Sequence, residues 1–232
     1  NGRGVVPESH PASLGATLHL ASTRALLAEA DAVLVIGCEL AESDTWGPTP
    51  LPVDTPVVRL DVDPAMAAVN LDVPPAVVLH GRAETLVPGL LQEIGATGVV
   101  RPSAHAPWAH RADTSDAERP WAGLLAGLRA ALPPAAVVVA DNAKAAYHGA
   151  QTGLRVEQPS SYLFPTGFGT LGWAVPAAVG AVLGDPARPV LALTGDGGLQ
   201  FSLAELATLR DLQVGVPVVV VDNGGYGEIR DQ

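Results

Sequence analysis

Short unbroken runs of Val, Ile, Leu and Ala recur along the chain and alternate with stretches of helical character. Such runs are typical of strands buried on both faces of a parallel sheet, because an exposed face would interrupt them with polar residues. In the first hundred residues they predict strands Ala32–Gly37, Val57–Val62 and Val77–His80, with helices Ser22–Ala30 and Ala83–Ile94. This alternation predicts an α/β unit built on a parallel sheet.

A second alternation of the same kind occupies the other half of the chain. It predicts strands Ala136–Ala140, Val190–Leu193 and Val216–Val221, and helices Trp121–Ala131, Ala174–Leu183 and Ser202–Leu212. The last helix is expected to begin at Ser202, because Ser202 and Glu205 have the spacing of a capping box. Between the two halves, residues 101–119 are polar and contain Pro without periodicity, which is typical of a linker.

These patterns predict an α/β fold with two parallel-sheet, three-layer domains, the first of them Rossmann-like. We expect the domains to span residues 1–100 and 120–232, joined by the linker 101–119. The chain begins without Met at Asn1 and stops at Gln232, soon after a Gly-rich loop. The first domain is therefore expected to be incomplete at its N-terminus, and the second at its C-terminus.

Composition argues against several classes of function. The formal net charge is -11, and the 13 Lys and Arg residues are scattered. A nucleic-acid partner is therefore not expected, since it needs a concentrated basic face. No apolar run approaches the roughly 20 residues of a membrane-spanning helix, so no membrane partner is expected. Cys38 is the only cysteine, which excludes an internal disulfide and favours a cytoplasmic location.

Two predicted strand ends in the second half carry oxygen ligands. Asp196 follows one strand, and Asn223 follows the next strand along the chain. A right-handed crossover would bring both to the edge of the sheet where open α/β sheets bind ligands. Carboxylate, amide and phosphate oxygens suit Mg²⁺, and Gly195, Gly197 and Gly198 would let backbone N–H groups approach an anion closely. The sequence therefore predicts a site for Mg²⁺ and a diphosphate.

Three motifs carry a resemblance to a known family. Gly195-Asp196-Gly197 with Asn223 resembles the signature of thiamin-diphosphate enzymes. The loop Gly169-Thr170-Leu171-Gly172 with Pro176-Ala177-Ala178 resembles the acetolactate synthase and 2-oxo acid decarboxylase group. The segment Gly4-Val5-Val6-Pro7-Glu8-Ser9-His10-Pro11 is similar to the central domain of the same group. The resemblance thus covers nearly the whole chain.

The resemblance also implies roles for individual residues. The expected Mg²⁺ ligands are the side chains of Asp196 and Asn223 and the carbonyl of Gly225. The backbone groups expected to hold the diphosphate belong to Gly195, Gly197 and Gly198. Two residues would orient the rings: Leu171 would wedge between them, and the Gly169 carbonyl would accept a hydrogen bond from the 4′-amino group.

The resemblance implies an enzyme, a lyase or transferase, that uses thiamin diphosphate and Mg²⁺ to process 2-oxo acids. The reaction would be decarboxylation or an acetolactate-synthase-like carboligation. In this family the Glu that activates the cofactor belongs to a pyrimidine-binding domain outside this chain, so no catalytic residue is assigned. We expect a homodimer or homotetramer, and no turnover from these 232 residues alone.

The alternative is a non-catalytic nucleotide- or FAD-binding module, which the first domain alone would allow; nothing in the sequence supports bound FAD directly. The pair Asp196 and Asn223 discriminates between the two hypotheses, because a dinucleotide binder has no need of it. Smaller candidates for the same sheet edge are Asp141, Asn142, Lys144, Glu228 and Arg230. Lys144 is the only lysine, and its pattern favours a solvated surface charge.

Overall fold

The computed structural model describes residues 2–46, 55–95 and 119–231. The chain divides into two compact units: an N-terminal unit within residues 17–113, and a C-terminal unit that combines residues 1–16 with residues 114–232. Most of the predicted linker lies outside the described residues. The domain boundaries therefore stay a prediction, and the described residues before Thr17 pack with the C-terminal unit.

The N-terminal unit contains a three-stranded parallel sheet in the order β1-β2-β3. Its strands are β1 (Val33–Ile36), β2 (Val57–Asp61) and β3 (Val77–His80), and its helices are α1 (Ala21–Ala28), α2 (Glu42–Thr45) and α3 (Ala83–Glu93), with a 3-10 turn at Pro64–Ala68. A small core of Val35, Leu40 and Val57 packs against Leu27. The parallel sheet confirms the predicted α/β character of this unit.

A buried arginine ties the loops at one edge of this sheet. Arg59 lies in β2 and has 0% of its surface exposed. Its guanidinium donates hydrogen bonds to the carbonyls of Cys38 at 2.5 Å and Val69 at 2.7 Å. These carbonyls follow β1 and the 3-10 turn, so the guanidinium satisfies buried acceptors that the sheet leaves unpaired.

The C-terminal unit contains a four-stranded parallel sheet in the order β5-β4-β6-β7. Its strands are β4 (Val137–Ala140), β5 (Tyr162–Leu163), β6 (Val190–Gly195) and β7 (Val218–Val221). Its helices are α4 (Ala122–Ala131), α5 (Gln151–Gly153), α6 (Ala174–Gly184), α7 (Asp196–Ser202), α8 (Glu205–Asp211) and α9 (Gly227–Asp231), with a π-helical segment at Ala145–Ala150. Among the described residues of either unit, we find no helix with the length and apolarity needed to cross a membrane.

Helices cover both faces of the C-terminal sheet. Val138 of β4 packs in one core cluster with Leu125 and Leu128 of α4. Its neighbour Val139 packs in another cluster with Ala178 of α6. Successive side chains of a strand point to opposite faces, so an unbroken apolar strand needs a helix on each side. This arrangement confirms the three-layer prediction for the C-terminal unit.

A buried ion pair holds the first residues against the rest of the C-terminal unit. The Arg3 Nε lies 2.7 Å from Glu8 Oε1, and Arg3 Nη2 donates to the Leu154 carbonyl at 2.5 Å. Glu8, only 2% exposed, also accepts a hydrogen bond from the Val156 N–H at 2.9 Å. The Arg3 guanidinium lies 4.8 Å from the centre of the Tyr162 ring. Each charge is paired and hydrogen-bonded, which offsets the cost of burying it.

Candidate cofactor site

The two oxygen-bearing strand ends lie side by side. Strands β6 and β7 are parallel neighbours, and Gly195 at the end of β6 is in register with Val221 at the end of β7. Asp196 follows Gly195 directly, and Asn223 stands two residues beyond Val221. Both side chains therefore leave from the same edge of the sheet.

A cavity of about 580 Å³ opens at this edge. This volume lies within the usual range of small-molecule sites. Its lining includes Leu171, Gly195, Asp196, Gly197, Gly198, Asn223 and Gly225. Of the predicted site residues, only Gly169 lies outside this lining, in the loop that carries Leu171.

Within the described parts of the chain, no group of three or more His, Cys, Asp and Glu side chains could hold a metal ion. A divalent cation at the cavity would therefore need amide, carbonyl, water or phosphate oxygens beside a carboxylate. That mixed oxygen set is one that Mg²⁺ accepts.

The helix after β6 begins earlier than the sequence predicts. Helix α7 begins at Asp196, with the extended residue Gly195 as its N-cap, and ends at Ser202. The next helix, α8, begins at Glu205 without a side-chain cap. The predicted capping box of Ser202 and Glu205 is therefore wrong. The Glu205 carboxylate instead accepts a hydrogen bond from the Thr208 hydroxyl at 2.8 Å. Because α7 follows β6 without a linker, Asp196 lies in the first turn of α7.

Gly198 occupies a position where no larger residue fits. A Cβ added there would lie 2.9 Å from Asp141 Oδ2 and 3.0 Å from Thr194 Oγ1. Both neighbours are buried, so neither side chain can move away at low cost. The absence of a side chain at Gly198 therefore lets α7 pack closely against the ends of β4 and β6.

Asp141, at the end of β4, is the polar centre of this edge and is 1% exposed. Its Oδ2 accepts hydrogen bonds from the Gly172 N–H at 2.9 Å and the Thr194 hydroxyl at 3.1 Å. Its Oδ1 accepts the Asn142 N–H at 2.9 Å. Sequence reasoning treated Asp141 as a minor candidate for the cavity wall. The structure instead gives it a positioning role, because it joins the Gly-rich loop to two strands.

Asn142 fixes the same loop from its other side. Its side-chain amide donates to the carbonyls of Thr170 at 3.0 Å and Pro165 at 3.3 Å. Leu171 stands between these anchored residues, 45% exposed and facing the cavity. Gly169 and Gly172 have φ values of 62° and 78°, which favour glycine. The loop conformation thus presents an apolar side chain at the cavity wall.

Three further polar residues, Tyr147, His148 and Glu228, lie close together at the cavity or beside it. Tyr147 and Glu228 both line the cavity. His148 Nε2 lies 3.8 Å from Glu228 Oε2, and the rings of Tyr147 and His148 meet edge-on with centroids 4.8 Å apart. Burial raises the pKa of the Tyr147 hydroxyl, and the hydrogen bond to Glu228 and its negative charge raise it further. Sequence reasoning singled out Glu228 but missed Tyr147, which no local motif marks.

Replacing Glu228 by Gln is expected to lower the pKa of Tyr147 toward the ordinary tyrosine value of about 10. The substitution removes the negative charge that opposes formation of the tyrosinate. Ultraviolet titration of wild type and E228Q, each compared with its Y147F counterpart, measures the change. E205Q, in helix α8, is the control. An unaltered Tyr147 titration in E228Q would contradict the assigned contact.

The raised pKa of Tyr147 makes the stability of the folded chain depend on pH. The folded chain retains the Tyr147 proton at a pH where the unfolded chain loses it. This contribution to stability is fully present below the ordinary tyrosine pKa of about 10 and is lost as pH rises beyond it.

Two family models match the chain. The model of the thiamine pyrophosphate enzyme central domain matches residues 1–90. The model of the thiamine pyrophosphate enzyme C-terminal TPP binding domain matches residues 141–232, which contain the cavity. The two matches follow each other along the chain and together cover most of it.

Two curated relatives match nearly the whole chain. A probable 2-ketoarginine decarboxylase of Pseudomonas aeruginosa is 38% identical over 99% of this chain and 42% of its own length. The large subunit of acetolactate synthase isozyme 1 of Escherichia coli is 28% identical, over 99% of this chain and 42% of its own length. This chain therefore spans less than half of the relatives it matches.

A solved structure matches the fold. The thiamine diphosphate-dependent 4-hydroxybenzoylformate decarboxylase of Rhodococcus jostii superposes with a TM-score of 0.68 and 24% identity, over 97% of this chain and 42% of that one. At this identity the match is informative about the fold alone. The family models and the curated relatives agree with the motifs read from the sequence. This chain belongs to the thiamine pyrophosphate enzyme family.

Proposed function

We propose that this chain is the part of a 2-oxo acid-processing enzyme that binds the diphosphate of thiamin diphosphate together with Mg²⁺. The observation that carries the proposal is the pairing of β6 with β7. It sets Asp196 and Asn223 at one sheet edge, around one cavity. A dinucleotide-binding module, the alternative, gives no reason for this pair of oxygen donors.

The donors of the cavity fit the cofactor. Asp196 is half-buried and supplies a carboxylate, while Asn223 supplies a neutral amide oxygen. The carbonyl of Gly225 and two phosphate oxygens would complete a set that Mg²⁺ prefers. Gly197 and Gly198 line the same wall without side chains, so a diphosphate can approach their backbone closely. Gly195 would contribute in the same way.

The residues of this chain would act by binding and orientation. When bound, thiamin diphosphate supplies a nucleophilic carbon and an electron sink for the departure of CO₂. Leu171 would hold the two cofactor rings in a bent arrangement, and the Gly169 carbonyl would accept a hydrogen bond from the amino group of the pyrimidine. Asp141 and Asn142 would keep the loop in place for both contacts. Such orientation lowers the barrier by proximity.

For the reaction, we propose decarboxylation ahead of acetolactate-synthase-like carboligation. The decarboxylase relative is 38% identical and the synthase relative 28%, over the same share of this chain. The Glu228 carboxylate at the cavity wall also suits a substrate with a cationic end, such as a guanidino 2-oxo acid. We also propose that the activating Glu belongs to a pyrimidine-binding domain outside this chain. The enzyme would be a homodimer or homotetramer with a cytoplasmic location.

Thermal unfolding tests the proposed cofactor. Thiamin diphosphate with Mg²⁺ is expected to raise the melting temperature of the complete protein, because a ligand that binds only the folded state stabilises it. Without Mg²⁺, in the presence of a chelator, most of this rise is expected to vanish. FAD and NAD are the control ligands. A larger rise with FAD or NAD than with thiamin diphosphate would favour the nucleotide-binding alternative.

Product analysis of the same protein separates the two reactions. Incubated with pyruvate or with 5-guanidino-2-oxopentanoate, a decarboxylase releases CO₂ and the corresponding aldehyde. A synthase also releases CO₂ from pyruvate, but it joins the remaining two-carbon unit to a second pyruvate and yields acetolactate in place of acetaldehyde. Acetolactate as the main product would contradict the decarboxylase proposal and would leave the cofactor assignment unchanged.

A further inference from the structure

A second cavity, of about 290 Å³, lies in the C-terminal unit at the edge of the sheet opposite the cofactor site. Ala136 and Val138, at the start of β4, line this cavity, whereas Asn142, beyond the end of β4, lines the first one. Among the described residues, none lines both cavities. The volume is close to the lower end of the usual range for small-molecule sites. The second cavity is therefore large enough for a ligand of its own.

Two arginines border the second cavity. Arg129 lies in the last turn of α4, and its Nη2 donates a hydrogen bond to the Gly153 carbonyl, two residues before Arg155. Burial lowers the pKa of Arg129, and the positive charge of Arg155 lowers it further. The two guanidinium groups therefore lie close enough to repel each other. An anion between them would replace this repulsion by attraction.

The charge at this cavity contrasts with that of the whole chain, whose formal net charge is -11. Among the described lining residues, Arg129 and Arg155 are basic and Glu157 is acidic, so the wall carries a net positive charge. The Glu157 carboxylate accepts a hydrogen bond from the Ser9 hydroxyl. Each guanidinium has several N–H donors, so it can keep its contacts within the protein and still bind an anion.

Most of the remaining wall of the second cavity is apolar. It includes Leu132, Pro133, Pro134, Val138, Leu154 and Val156. The two consecutive prolines restrict the turn between α4 and β4, which favours a cavity that exists before its ligand binds. An inorganic anion would leave the apolar side chains in contact with water, whereas an aliphatic group would cover them. The charge and the apolar wall together favour an organic anion with an aliphatic body.

We propose that the second cavity binds a small aliphatic carboxylate, with the carboxylate group between Arg129 and Arg155 and the aliphatic body against the apolar wall. The planar fork of a guanidinium matches the two oxygens of a carboxylate, so two arginines can bind it from both sides. This inference concerns a site separate from the cofactor cavity, and it does not depend on the proposed function.

Ligand-observed NMR titration of the complete protein tests this site. The probe is isovalerate, and the comparison ligands are isovaleramide, which has the same body without the charge, and inorganic phosphate, which has charge without the body. Isovalerate is expected to bind with a dissociation constant of about 1 mM or lower. Isovaleramide is expected to bind about tenfold more weakly, because it lacks the charge-assisted hydrogen bonds. Inorganic phosphate is expected to bind more weakly than isovalerate as well.

R129M and R155M are each expected to weaken isovalerate binding about tenfold, since each removes one charged donor. R210M is the matched control, because Arg210 is an exposed cation of α8 outside the lining of the second cavity. Thermal melts without ligand establish that every variant folds. Saturating thiamin diphosphate with Mg²⁺ should leave the isovalerate affinity within about twofold, as expected for separate sites.

Four results would each overturn the inference. The first is an unchanged isovalerate affinity in R129M or R155M, and the second is an equal affinity for isovaleramide. The third is tighter binding of inorganic phosphate, which would exclude the carboxylate as the favoured ligand. The fourth is displacement of isovalerate by thiamin diphosphate, which would place the carboxylate in the cofactor cavity.

Discussion

Replacing Asp196 by Ala in the complete protein is expected to weaken binding of thiamin diphosphate in the presence of Mg²⁺ by more than about a hundredfold. Asp196 is the only acidic side chain among the proposed metal ligands, and substitutions even of groups that merely support a metal ligand cost about 10–100-fold in affinity. Turnover of 2-oxo acids is expected to vanish with the cofactor. Titration of Mg²⁺ at fixed thiamin diphosphate, followed by calorimetry, measures the effect.

Asp222 offers a matched control for this substitution. It is an exposed carboxylate one residue before Asn223, and its Oδ1 accepts a hydrogen bond from the Gly224 N–H at 2.8 Å. It is not part of the cavity lining. D222A should therefore keep cofactor affinity within about threefold, since it loses only an exposed turn contact. Equal losses in D196A and D222A would show that general charge, and not metal ligation, governs binding.

The second large effect is expected from Asp141→Ala, and it concerns stability. The substitution removes the acceptor of three N–H groups at this edge, those of Gly172, Asn142 and Trp173. The Thr194 hydroxyl also loses its bond to Asp141 but can still donate to the Gly195 carbonyl. An unsatisfied buried donor costs about 1–3 kcal/mol. The free energy of unfolding is therefore expected to fall by about 3 kcal/mol or more. Urea denaturation monitored by circular dichroism measures this change.

Loss of the Asp141 carboxylate should also weaken cofactor binding, because the loop that carries Leu171 loses its anchor at Gly172. D185A is the control, since Asp185 is an exposed carboxylate that accepts one backbone hydrogen bond from Ala187 at 3.2 Å. Its cost should stay below about 1 kcal/mol. If the free energy of unfolding falls no further in D141A than in D185A, the central role of Asp141 at this edge of the sheet is excluded.

The elements of the C-terminal unit show where sequence reasoning succeeds. The apolar runs predict β4 and β6 closely, because a central strand of a parallel sheet must be apolar on both faces. The edge strand β5, only two residues long, lies in a stretch that reads as a Gly- and Pro-containing connection. Its pairing with β4 comes from the fold, since two residues carry no periodicity.

Helix α7 shows why the boundary of an element is harder to predict. The spacing of Ser202 and Glu205 fits a capping box, yet the helix begins at Asp196 because Gly195 can end a strand and cap a helix in one residue. A local motif competes here with tertiary packing of α7 against Asp141 through Gly198. The packing prevails because it involves several buried groups, whereas a single side-chain cap contributes about 1 kcal/mol.

The apolar runs and the Gly-rich turns were enough to predict the α/β class, the parallel sheets and the positions of Asp196 and Asn223 after two apolar strands. These features follow from patterns within a few tens of residues. Burial on both faces requires an unbroken apolar run, and the turn from a strand to a helix is marked by glycines. Two contacts could be seen only in the folded chain: Asp141 joins the loop at Gly172 to the sheet, and Lys144 lies beside Asn223. Those contacts join residues far apart in the chain, and they form only when β4 takes its place between β5 and β6.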